Sequence, residues 1–116
     1  MISCKKQFWV GFGLMAASMA LSTSLYAADL LTFQLELKDG TLKPARIEVP
    51  AGQKIKIEVH NTGTSPVEFE SIQLRKEKVL APGASSFVVI APMQPGEYKF
   101  FDDFHMNTAQ GVIVVK

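Results

Sequence analysis

The chain has 116 residues, 12 basic and 11 acidic side chains, a formal net charge of +1 and 47% apolar residues. That balance, with no block of like charge, leaves no footprint for nucleic acid, and the length suits one domain with one core rather than two. A lone cysteine, Cys4, permits no disulfide within the chain, so the domain must be held by its core or by a core plus a metal.

Lys5 and Lys6 precede an apolar run from Phe8 to about Leu21, followed by small residues up to Ala27-Ala28. This is the pattern of a cleaved secretory signal peptide, and the run is short for a membrane span. Cleavage after Ala27 assigns residues 1–27 to the signal and 28–116 to the domain; cleavage after Ala28 is the neighbouring alternative. Export removes Cys4 with the two lysines, which brings the basic count to 10 against 11 acids and the net charge to about −1.

Past the signal, period-two alternation dominates. Phe33, Leu35 and Leu37 alternate with Gln34, Glu36 and Lys38, and Ile55, Ile57 and Val59 alternate with Lys54, Lys56 and Glu58, so each segment predicts a strand with one wet face. Asp39-Gly40 marks a turn, Ile47-Glu48-Val49 resumes a strand, and Pro50-Ala51-Gly52 turns the chain again. Asn61-Thr62-Gly63-Thr64-Ser65-Pro66 is a longer polar loop. Pro82-Gly83 precedes a strand over Ser86 to Ile90, and Pro95-Gly96 precedes the strand of Tyr98. Leu74 to Leu80 is ambiguous between a short helical turn and an irregular edge. Six or seven short strands separated by regular turns predict an all-β sandwich.

The last stretch carries most of the functional information. Glu97-Tyr98-Lys99-Phe100-Phe101 is a strand, Asp102-Asp103-Phe104-His105-Met106-Asn107-Thr108-Ala109-Gln110 a polar loop, and Gly111 to Lys116 a closing strand. Together with Val49-Pro50-Ala51-Gly52, Val59-His60-Asn61-Thr62-Gly63 and Ala81-Pro82-Gly83, this order resembles the cupredoxin superfamily, which implies a Greek-key β-sandwich. More narrowly, Val67-Glu68-Phe69-Glu70-Ser71, Leu74, Glu77-Lys78 and Phe101-Asp102-Asp103-Phe104-His105 resemble the periplasmic cupredoxin-like proteins of bacterial ferrous-iron uptake systems. That resemblance implies a periplasmic location, and as partners an inner-membrane iron permease and a periplasmic iron-binding protein.

The same resemblance marks where the blue-copper ligands should lie. The first histidine place is Val67, the cysteine place is Asp102, and the methionine place is Ala109 or Gln110; His105 alone can stand for a family ligand. A blue-copper centre needs two imidazoles and a thiolate, so that chemistry is rejected. What remains is carboxylate-rich. Glu68, Glu70 and Glu77 lie in or after one loop, while Asp102, Asp103, His105 and Met106 lie in the other. The resemblance brings these two loops to one end of the sandwich.

Singly, Glu68, Glu70 and Glu77 read as ordinary solvated side chains, whereas placement at the cysteine position favours a functional role for Asp102-Asp103. The i, i+2 spacing of Glu68 and Glu70 puts both on one strand face, and Asp102 and Asp103, adjacent on a strand end, cannot both point the same way, so one ligates and the other caps. Oxygen donors with one imidazole suit iron, manganese or copper(II). His60, at a strand end, reads as structural, and Met93 and Tyr98 as packing. Phe100 and Phe101 must point to opposite faces, one into the core and one walling the site. No nucleophile or phosphate-loop constellation is present. The leading expectation is therefore a metal-binding protein that binds, delivers or oxidises Fe(II). The alternatives are a periplasmic Cu(II) carrier, in which His105, Met106 and His60 gather, and a metal-free module whose acids meet a basic partner.

Overall fold

A computed structural model describes residues 30–116; the expected signal peptide, residues 1–27, lies outside them. The described chain forms nine strands: β1 (Leu31–Lys38), β2 (Thr41–Lys43), β3 (Arg46–Val49), β4 (Ile55–Asn61), β5 (Val67–Ser71), β6 (Lys76–Leu80), β7 (Ser85–Ile90), β8 (Gly96–Asp102) and β9 (Gln110–Val115). One 3-10 turn, Asp103–His105, joins β8 to β9. No α-helix occurs among the described residues. No helix there is long and apolar enough to cross a membrane.

Two sheets result, a four-stranded one in the order β2-β1-β4-β7 and a five-stranded one in the order β3-β9-β8-β5-β6. β1 runs parallel to β4 and β3 parallel to β9, while the other pairs are antiparallel. Alternation decides which side chains lie between the sheets. Leu35 and Leu37 from β1 and Ile55, Ile57 and Val59 from β4 are fully buried, and meet Val67, Phe69, Phe100 and Ile113 from the other sheet. Phe69 and Phe100 stack with ring centroids 5.5 Å apart, and truncating either to alanine should cost about 3–5 kcal/mol.

The strand count exceeds the expected six or seven because the three-residue β2 pairs back on β1 after the Asp39-Gly40 turn and the ambiguous Leu74–Leu80 stretch supplies β6. The ambiguous Leu74–Leu80 segment resolves as a turn followed by edge strand β6; Arg75 takes φ +59 at that turn, and Lys76 to Leu80 pair with β5. Phe100 is fully buried, and Phe101 on the opposite face is half-buried, as alternation requires. Met93 is core, and the Tyr98 hydroxyl donates to the Gln94 carbonyl at 2.8 Å.

Candidate metal centre

β5 has one face in the core, through Val67, Phe69 and Ser71, so Glu68 and Glu70 project from the outer face of the five-stranded sheet. The edge strand adds Glu77, directly opposite Glu70 in the ladder. Asp103 comes from the 3-10 turn, which packs against β5. Carboxylate oxygens of Glu68, Glu70 and Asp103 lie within 4.8 Å of one another. Although Glu68 is on an outward face, it is only 8% exposed, because the turn folds over it.

Burial and crowding penalise negative charge here. Glu68 is pushed up to about 7, first by burial, then by a hydrogen bond shared with Glu77, then by the charges of Glu77, Asp103 and Glu70. Glu70 is raised by burial and by the charges of Asp103 and Glu77. A cluster that holds protons for want of a counter-charge is one a cation can relieve, and a metal ion that displaces those protons would bind with proton release.

Asp102 is a different kind of acid. It is fully buried and its carboxylate is fully engaged: Oδ1 accepts the N–H of Glu68 at 2.9 Å and of Phe104 at 3.0 Å, while Oδ2 lies 2.7 Å from His105 Nδ1. It caps the 3-10 turn, ties β8 to β5 and fixes the imidazole. Of the adjacent pair, Asp102 faces inward and caps, whereas Asp103 faces the acid cluster. His105 points its other nitrogen, Nε2, to within 3.4 Å of Ser65 Oγ, away from the carboxylates. Met106 is exposed and lines a shallow cleft with Ile72, Gln73, Lys99, Phe101 and Gln110. The structure thus gathers Glu68, Glu70, Glu77 and Asp103, and leaves Asp102, His105 and Met106 outside the group.

His60 is on the opposite sheet, where Nδ1 is 2.8 Å from Ser85 Oγ and Nε2 is 2.7 Å from Gln34 Oε1. A site gathering His60 with His105 and Met106 is not formed. Sequence reasoning passed over Asp39, read only as a turn residue. Its Oδ1 accepts from the N–H of Thr64 at 3.0 Å, the N–H of Ser65 at 3.1 Å and the Ser65 hydroxyl at 3.0 Å. These bonds hold its carboxyl below the usual range, the Thr64 N–H contributing most. Gly40 completes the contact: it takes φ +95, and a Cβ there would meet Thr108 Oγ1 at 2.9 Å, with the His105 ring in ordinary contact. The β1–β2 turn therefore locks both loops that flank the site. A turn residue with no apolar neighbour carries no sequence signal for that.

The family model of the cupredoxin-like domain matches residues 11–115. The chain belongs to the cupredoxin-like domain family. A protein of Rickettsia prowazekii (strain Madrid E), named Uncharacterized protein RP394, is 40% identical over 87 residues, covering 75% of this chain and 70% of its own. Reduced auracyanin from Roseiflexus castenholzii superposes with a TM-score of 0.62 at 18% identity, over 73% of this chain and 96% of that one. The metal-binding domain of the Cu(I)-exporting P-type ATPase CopA of Streptococcus pneumoniae, solved with Cu(I), gives 0.65 at 16% identity, over 73% and 84%.

Within this cupredoxin-like domain the blue-copper places do not suit copper. Val67, at the first histidine place, is fully buried in the core, as is Ala109 at one of the two candidate methionine places. Asp102 replaces the thiolate with a carboxylate already satisfied by three hydrogen bonds. The one imidazole is spent on that carboxylate. The donor set offers no sulfur and no free pair of imidazoles, so the residues present do not fit a blue-copper ion.

Proposed function

We propose that this cupredoxin-like protein acts in the periplasm as a carrier of iron, held as cargo by Glu68, Glu70 and Asp103, with Glu77 as a fourth carboxylate, and passed to an inner-membrane permease. The observation that carries the reading is the convergence of three carboxylates within 4.8 Å on a sheet face where Glu68 is nearly buried and resists ionisation. Hard oxygen donors favour iron over copper(I), and the dense negative charge favours Fe(III) over Fe(II). The periplasmic location and the permease rest on the likeness of the Glu68–Ser71, Glu77-Lys78 and Phe101–His105 clusters to those of ferrous-iron uptake proteins. The Streptococcus pneumoniae domain shows that a similar fold is compatible with a copper ion, but Asp102 and Val67 disfavour copper at the corresponding places here.

Calorimetric titration of the purified protein tests this, with Fe(II) under anaerobic conditions, Fe(III) as its citrate complex, and Cu(II). Iron binding that Glu68→Gln with Glu70→Gln abolishes, and that His105→Ala leaves in place, is the expected result. Iron binding insensitive to the two glutamates, or Cu(II) binding that depends on His105, would overturn it.

A further inference from the structure

We propose that the seam between β6 and β7 docks an extended acidic segment of a partner protein, which adds as a strand to the free edge of β7. The two strands are consecutive but belong to different sheets: β6 is the edge of the five-stranded sheet, paired only with β5, and β7 the edge of the four-stranded sheet, paired only with β4. Both present backbone N–H and C=O groups without a strand partner to the same opening. A cleft of about 400 Å3 lies between them, lined by Arg75, Lys76, Glu77, Lys78, Phe87 and Val89.

Alternation along β6 sorts its charges. Lys76 and Lys78 pair across the ladder with Ser71 and Phe69, which face inward, whereas Glu77 pairs with Glu70 on the outer face. The lysines therefore reach out through the seam, and the acid is turned to the carboxylate cluster, where it shares a hydrogen bond with Glu68. Among the described residues the ion pairs involve Arg46, Lys56, His105 and Lys116, so Arg75, Lys76 and Lys78 line the cleft without a close ion pair and outnumber its one lining carboxylate, Glu77. Edge lysines are a known guard against sheet-to-sheet pairing, which accounts for two of these cations. It does not account for Phe87, which is 50% exposed on the β7 edge with Lys56 Nζ 4.9 Å from its ring centre. A half-exposed aromatic on an open strand edge, with the ion-paired Lys56 and Glu58 on one side and the cationic cleft on the other, disfavours basic chains and neighbouring copies of the same lysine-rich edge. It fits an extended segment whose glutamates or aspartates meet the cations, whose backbone completes the β7 ladder, and which covers Phe87. This surface shares Glu77 with the carboxylate cluster but contains none of Glu68, Glu70 and Asp103, so its test does not require the metal.

The test is fluorescence polarisation of the purified protein with a labelled synthetic peptide of alternating glutamate and valine. Three companion probes are the same peptide N-methylated on alternate amides, a glutamate-to-lysine version, and free polyglutamate as competitor. Saturable binding is expected, weakened about tenfold by Lys76→Gln with Lys78→Gln and again by Phe87→Thr, with amide NMR shifts concentrated on β7. The N-methylated and lysine peptides should not bind. No saturable binding, equal binding of the N-methylated peptide, or equal potency of polyglutamate would overturn strand addition, and shifts confined to Glu68, Glu70 and Asp103 would overturn the location. Glu68→Gln with Glu70→Gln should leave peptide binding unchanged.

Discussion

Two adjacent acids, Asp102 and Asp103, behave oppositely. Asp102 is buried deeper than any other carboxylate described, yet both its oxygens are engaged, by two backbone N–H groups and an imidazole. Asp103 and its neighbours Glu68, Glu70 and Glu77 are closer to solvent but meet mainly one another. Depth alone therefore does not make a site; unsatisfied charge does. Asp102, at the expected cysteine place, is a hydrogen-bonded knot, and the crowded carboxylates lie beside it on the sheet face.

The most damaging break in this comparison is Asp102→Ala. It leaves two N–H groups and an imidazole without their acceptor, and urea unfolding should show a loss of about 3–4 kcal/mol. Asp103→Ala removes a partly repulsive charge and should cost little or slightly stabilise the metal-free protein. If both substitutions cost the same, the distinction between knot and cluster fails. On the cluster side, Glu68→Gln with Glu70→Gln should weaken iron binding about 100-fold or more, equivalent to about 2.7 kcal/mol, with the fold intact by circular dichroism.

The cluster's proton balance gives a third prediction. Glu68 has a folded pKa of about 7, above its unfolded value of 4.5. A carboxyl raised on folding contributes stability that is fully present below the unfolded pKa and is lost as pH rises through the folded one. The metal-free protein should therefore melt at progressively lower temperature as pH is raised from about 4.5 through about 7. Glu68→Gln should flatten that slope, and bound iron should reverse it, since a cation favours the ionised cluster. A Glu68→Gln variant as pH-sensitive as the parent would place the repulsion elsewhere.

Much of this was legible in the sequence, for reasons that differ by residue. Leu35, Leu37, Ile55, Ile57 and Val59 announce their strands because half-buried strands must alternate. Glu68 and Glu70 declare a shared face by their spacing, and the absence of cysteine from the Asp102 position excludes blue copper outright. Which of Asp102 and Asp103 turns inward could not be read. That choice depends on how the 3-10 turn packs against β5 and on the bond from the Glu68 N–H to the Asp102 side chain, both of which involve a strand more than thirty residues away. The same holds for His105. As a loop histidine beside two acids it reads as a ligand, but only the fold shows that the nearer acid takes its Nδ1 and that Ser65, held by Asp39, meets its Nε2.

The smallest expected effect on the metal is therefore the most discriminating. His105→Ala deletes the one nitrogen donor that the sequence offers near the cluster. If the imidazole only braces Asp102, iron affinity should change by less than about threefold, while stability falls by about 1 kcal/mol for the lost hydrogen bond. His105→Gln, which can still donate toward Asp102, should recover part of that stability and leave affinity where it was. A ligating imidazole gives the reverse pattern: affinity falls tenfold or more, glutamine does not restore it, and the melting temperature of the metal-free protein barely moves. The two readouts separate because Asp102 lies between His105 and the cluster. It absorbs the histidine's hydrogen bond on Oδ2 and reaches the site only through the Glu68 backbone on Oδ1.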